Sequence, residues 1–309
     1  MVESARRSAR RPLSRANKVK AVAARLIGFC ALVAPLLVLG PTLTASSATP
    51  LQLTPSANIA PRPDFLSSGP CQSSRAHQLS CANPCFSGAG SAITVRPYDN
   101  SRACTTYILA AINHARAVEG VAPMMLPNNW YTLSADEQMF VLTNLERTAR
   151  GLPPYQGLVS ALNHSAAAGA ARNVDPWFVS GMTQQGFTSI LADASPSPLA
   201  ADYVWMYNDG WGGTSRNTSN VDCTSPGASG CWGHRHNILG VYLGPYCHDC
   251  QMGAAYRNRH GTGVYAEIFV RPQHQAAPAS FTWTRDVVPH LSAAASSSTT
   301  SSPAASSTP

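Results

Sequence analysis

Apolar positions recur at helical spacing in three stretches of the chain. In "CTTYILAAINHARAVEG", Ile108, Ala111, Ile112, Ala115 and Val118 form a stripe that predicts a helix, with Gly120 as its stop. In "LSADEQMFVLTNLERTARGLPP", Ser134 and Glu137 have the spacing of a capping box. Val141, Leu142, Leu145 and Ala149 then share a face, and Gly151, Pro153 and Pro154 end the helix. A third helix is predicted through "PLAADYVWMYNDG", opening at Pro198, whose fixed φ suits a first turn. Toward the C-terminus the pattern changes. "MGAAYR", "TGVYAEIFVR" and "SFTWT" are short, β-branched or aromatic, and punctuated by Gly and Pro, so they predict strands. Helices early and strands late predict an α+β fold rather than alternating α/β.

The two ends of the chain do not share this patterning. A basic stretch precedes the apolar run "LIGFCALVAPLLVLG" and then the small residues "TASSA", the layout of a secretory signal peptide over residues 1–48. The competing reading is an uncleaved anchor. Pro35 and Gly40 interrupt the run and leave it shorter than a membrane span needs, so cleavage is expected, with no stable membrane anchor afterwards. Residues 49–70 read as a Pro/Ser-rich linker, residues 71–291 as one folded domain, and residues 292–309 as a Ser/Thr/Pro/Ala-rich disordered tail.

Charge alters the picture once the leader is set aside. The formal net charge of +7 invites a polyanion-binding reading. Yet eight of the 22 basic residues and one of the 15 acidic ones lie within the leader, which leaves 14 of each. The remainder is neutral, and no nucleic-acid partner is expected. Of the nine cysteines, Cys30 lies in the leader. The other eight can form disulfides, as an oxidising extracellular compartment favours. Proximity predicts that Cys223 pairs with Cys231 and Cys247 with Cys250, leaving Cys71, Cys81, Cys85 and Cys104 as an N-terminal set. "CHDC" also has the spacing for zinc or redox chemistry, but a disulfide is the expected state.

The densest candidate chemistry is "GCWGHRHNILG", with His234, Arg235, His236 and Asn237 behind Trp232. His236 and His248 are expected to face solvent. Tyr203, Trp205, Tyr207, Trp211 and Trp232 crowd the same region, chiefly as packing, with a ligand-stacking groove as the alternative. A Ser-His-acid hydrolase finds little support: no Gly-x-Ser-x-Gly elbow occurs, and Ser229 near His234 sits in a Gly-rich loop.

Three stretches, in order, carry a family resemblance: "LTNLERTARGLPP", "SPLAADYVW" and "GHRHNIL". They resemble the Asn-x-x-Arg helix, the helix that follows it, and the Gly-His-Arg-x-Asn-Ile-Leu motif of the CAP superfamily (cysteine-rich secretory proteins, antigen 5 and plant pathogenesis-related proteins), in its bacterial extracellular branch. The resemblance implies a three-layer α-β-α sandwich with a central, mainly antiparallel sheet. Asn144 and Arg147, three apart on one helix face, are expected to act as scaffold, the Arg meeting carbonyls or an Asp, while Asn237 ties down loop backbone.

In that family a cleft often holds two histidines and two acids that can bind a divalent metal. His234 matches the second histidine. The slot of the first falls near Gly169, with His164 five residues early. Ser189 in "FTSILAD" stands nearest one acidic slot, and Asp209 is the candidate for the other. With the set incomplete, no metal and no cofactor are expected. The ligand-binding candidates are His234, Trp205, Asp209 and Trp232. The expected function is a secreted binding or structural module whose partner is a small ligand, a wall polymer or a protein. The alternative is a peptidase or peptidoglycan-active hydrolase using His234 with an acidic partner, Asp209 being the candidate.

Overall fold

In the computed structural model of the chain, the residues described are 53–55, 58, 84–87, 94–95, 98–177, 183–212 and 218–291. The predicted leader and tail, and Cys71 and Cys81, lie outside them.

Two short strands, β1 (Phe86–Ser87) and β2 (Thr94–Val95), pair antiparallel ahead of the main fold. Helix α1 (Arg102–Val118) starts where the Ser101 hydroxyl accepts the Cys104 N–H, and Ile108, Ile112 and Ala115 face inward as predicted. Val118 departs from the prediction and is 61% exposed. It lies about 80° around the helix from Ile108, at the stripe's edge, while Arg116 turns inward on the other side.

Helix α2 (Ala135–Thr148) opens with the expected capping box: the Ser134 N–H donates to Glu137 and the Glu137 N–H to the Ser134 hydroxyl. Nine of its 14 residues are buried, among them Gln138, Asn144, Glu146 and Arg147, so the helix is packed on nearly every side. Ala149, placed on the apolar face, is exposed beyond its last turn.

Strand β3 (Gly157–Leu158) leads into α3 (Ser160–Arg172), and β4 (Gln184–Ala192) precedes α4 (Pro198–Tyr207), which begins at Pro198 as expected and is buried along its whole length. A short α5 (Gly233–Leu239) carries the histidine motif. β5 (Gln251–Arg259) and β6 (Thr262–Pro272) form a hairpin, and β7 (Phe281–Thr282) closes the order.

The result is α+β, with a five-stranded sheet in the order β4-β6-β5-β3-β7. The β3–β5 pairing is parallel and the other three are antiparallel, so the sheet is mixed. "SFTWT" pairs only over Phe281–Thr282 before turning into a π-helical turn. β4 interrupts the helices-then-strands order. Its residues are mostly half-buried, as suits the sheet edge it occupies, and that blurs the alternation a strand normally shows.

Both faces of the sheet are covered. Tyr265 and Phe269 of β6 join the core that includes Phe140, Val141 and Leu142 of α2. Val264, Ala266, Ile268 and Val270 join Leu162, Ala166 and Ala170 of α3. Helix α3 lies against β5 so closely that a Cβ on Gly253 would stand 2.2 Å from the Leu162 carbonyl carbon. The Asn163 side chain also accepts the Ala254 N–H, fastening the two elements. Gly253→Ala is therefore expected to lower stability by about 1–3 kcal/mol through displacement of α3. A urea midpoint equal to wild type would refute this.

Three disulfides join described residues: Cys85–Cys104, Cys223–Cys231 and Cys247–Cys250. The last two are the predicted pairs. The first ties the segment before β1 to α1. Residues 53–55 and 58 fall in the stretch read as a linker, yet they are docked. Arg235 donates to the Leu53 carbonyl, Thr54 bonds His236, and Asn58 bonds Asn208 and the Gly210 N–H.

Candidate functional site

The motif helix is held from behind by α2. Asn144 uses both ends of its amide on the Tyr155 backbone, donating to the carbonyl and accepting the N–H. Arg147 donates to the carbonyls of Pro153, Ile238 and Pro245 and lies over the Tyr155 ring at 4.2 Å. A buried guanidinium needs several acceptors, and backbone carbonyls supply them, as the sequence predicts. Asn237 donates to the Ser189 carbonyl in β4. It therefore ties α5 to a strand and not to loop backbone, because β4 runs directly beside the motif.

Trp232 enters α5 in a left-handed conformation, φ 64°. Its indole packs against the chain at residue 210, where a Cβ would lie 2.2 Å from the ring; only glycine fits there. This contact sets the motif beside the end of α4 and delivers His234 to Asp209. His234 Nδ1 and Asp209 Oδ1 are 2.6 Å apart. Asp209 is fully buried and is itself held by the Asn220 amide on Oδ1 and the Arg235 backbone N–H on Oδ2. A carboxylate can only accept, so Nδ1 carries the proton and Nε2 is left to the cleft. Burial works against charging His234, but the Asp209 hydrogen bond and the charges of Asp209, Asp175 and Asp222 outweigh it and raise its pKa above the ordinary value.

The cleft in front of His234 measures about 450 Å³. His234, Asp209 and Trp205 line it together. Trp232 does not: it is buried behind the motif, against residue 210 and near Arg235. The Trp205 indole N–H donates to the Leu191 carbonyl, which fixes the ring as a wall. The other positions expected from the resemblance are differently filled. Gly169 is buried, and a Cβ there would strike the Val174 carbonyl and Pro176 at under 3 Å, so no histidine fits. His164 is exposed on α3, Ser229 is exposed, and Ser189 is not among the lining residues. His236 is half-buried between Thr54 and Tyr242, not free in solvent, because the docked N-terminal segment covers it. His248 is exposed as expected.

Sequence reasoning missed Asp175, Asp222, Ser195 and Asn220. One signal was available: the tripeptide Asn-Val-Asp occurs twice, at 173–175 and 220–222, and all six residues line the cleft. Gly169 explains the first copy, since the chain folds back over it and carries Asp175 to the cleft mouth.

Behind the site runs a buried chain of charges. Arg235 pairs with Glu119, Glu119 with Arg150, and Arg150 with Glu146, which also faces Arg116. Cys247, Asp249 and Cys250 bring three potential metal-ligand atoms together, but the two cysteines are bonded to each other. Among the described residues no helix is long and apolar enough to cross a membrane.

No family model matches the chain, and no curated protein matches it. Among solved structures, Schistosoma mansoni venom allergen-like protein 4 is similar over 48% of this chain and 97% of that chain, at 14% identity and a TM-score of 0.28.

Proposed function

We propose that this chain is an exported CAP-like domain, a three-layer α-β-α sandwich that acts by binding a small ligand, a wall polymer or a protein in the His234 cleft. The observation that carries the reading is the His234–Asp209 pair, which fixes an imidazole in the wall of a 450 Å³ cleft with Nε2 bonded to no described residue. The scaffold contacts of Asn144, Arg147 and Asn237, in the order and spacing of the resembling motifs, support the family reading. Helices on both faces of the sheet support the layering, and the disulfides fit an oxidising, extracellular compartment. A resident zinc forms no part of the proposal. Both Asp209 oxygens are taken by His234, Asn220 and the Arg235 N–H, whereas zinc needs three or four converging ligands.

One observation favours a second reading, hydrolysis. An acid on Nδ1 holds the tautomer in which Nε2 can take a proton. Among the described residues no hydroxyl or thiol is hydrogen-bonded to His234, so water would be the nucleophile. Cosedimentation of the secreted chain with purified cell-wall sacculi in EDTA separates the two. Binding predicts retention in the pellet, weakened at least about tenfold in His234→Gln, with no fragments released. Fragments released by wild type and not by His234→Gln would establish hydrolysis. Equal retention of both proteins would remove His234 from the function.

A further inference from the structure

We propose that the His234 cleft selects an organic cation, an alkyl ammonium group entering between Asp175 and Asp222 with its stem along Trp205. The inference rests on the binding reading and names its ligand class. Among the described lining residues there are four carboxylates, Asp175, Asp193, Asp209 and Asp222, and neither Lys nor Arg. A protonated His234 offsets one of the four. Asp209 is internally satisfied, and Asp193 is held by the Asn173 amide and the Ala194 N–H. The carboxylates of Asp175 and Asp222, both exposed, accept no hydrogen bond from a described residue; partial burial raises the Asp175 pKa, with the His234 charge opposing and the Asp222 charge adding to the rise. Their charge is thus available to a ligand.

An independent observation points the same way. Ser195 lines the cleft, is 1% exposed, and its buried hydroxyl has no hydrogen-bond partner among the described residues. A buried hydroxyl left unpaired costs free energy that a donor from a ligand would recover. An ammonium brings three donors and no acceptor, which suits two carboxylates and a hydroxyl. Val204, Trp205 and Leu191 supply apolar wall for the methylene stem. Low-dielectric walls carrying one sign of charge also concentrate counter-ions at the mouth.

An alkyl ammonium can come from a lysine side chain of a peptide or from a free polyamine. Calorimetric titration of the full, EDTA-dialysed chain with blocked tri-lysine, with spermidine and with tri-(Nε-acetyl-lysine) distinguishes them. Expected are binding of a charged probe at least about tenfold tighter than the acetylated peptide, and weakening on going from low salt to about 0.15 M. A similar loss is expected in the Asp175→Asn/Asp222→Asn double variant, whose exposed positions leave the fold intact by circular dichroism. Preference for tri-lysine over spermidine identifies a peptide source, and the reverse a polyamine. Equal binding of the acetylated peptide, an unaffected double variant, or no heat with either cation overturns the proposal. If wall retention still depends on His234 in that case, the binding reading stands and the cation assignment alone falls.

Discussion

Glu146→Gln is expected to cost about 3–5 kcal/mol of stability, the scale for removing one partner from a buried ionic cluster. Glu146 is fully buried. Its carboxylate pairs with Arg150, accepts the Tyr207 hydroxyl at 2.9 Å, and faces Arg116 at 3.7 Å. Burial pushes its pKa up, but Arg150 and Arg116 outweigh burial and bring it below the ordinary value. Without that charge, Arg150 and Arg235 would share Glu119, and Arg116 would lose the carboxylate it faces. Because the folded pKa is lowered, the stabilisation is present above about pH 4.5 and is lost as pH falls through the folded value. Urea unfolding near pH 7 measures the loss, with Glu146→Asp as a charge-retaining control. A loss under about 1 kcal/mol would mean that the cluster reorganises around a neutral side chain.

The second large effect has the opposite sign. Glu267→Gln is expected to stabilise the domain at pH 8, by several kcal/mol, and to be nearly neutral at pH 4. Glu267 sits on β6 toward α2, buried, with the Thr143 hydroxyl against both oxygens. Burial raises its pKa to about 8, with the Thr143 hydrogen bond opposing. The native state therefore keeps this proton between about pH 4.5 and 8, where the unfolded chain has released it. Stability falls by about 1.4 kcal/mol per pH unit across that window and levels off above it. Asp202 acts in the same sense: it is buried, neither of its oxygens has a hydrogen-bond partner among the described residues, and burial and then Glu146 and Glu267 raise its pKa well above normal. His234 adds to the trend, because a raised histidine stabilises below about pH 6.5 and loses that contribution as pH rises through the folded value. Denaturation midpoints from pH 4 to 9 should thus decline toward alkali in wild type and more gently in Glu267→Gln. Parallel curves would show that Glu267 ionises freely in the fold.

What could be read from the sequence follows from where each signal resides. The α2 capping box, Pro198 opening α4, and the β5 and β6 runs are local patterns, and each sits where the pattern puts it. Arg147 finding carbonyls was legible for a related reason: a lone arginine on a buried helix face leaves few alternatives. Glu146 and Arg150 carry no such mark. At i and i+4 they resemble an ordinary solvated pair, and only the positions of α1 and α4 make them interior. β4 was missed because an edge strand buries its residues only partly. Trp232 was placed at the ligand because aromatic residues near a motif look alike in sequence, whereas its left-handed backbone turns the indole toward residue 210. Asp209 was a candidate by position; its bond to His234 depends on that same indole.

The docking of residues 53–55 and 58 redraws the edge of the domain. A polypeptide trimmed to begin at residue 71, where patterning alone would start it, would lose the carbonyl that Arg235 Nε reaches and the amide of Asn58 that bonds the chain on both sides of Asp209. A polypeptide that keeps these contacts must therefore include residue 53. Affinity handles and reporters belong at the other terminus, past residue 291.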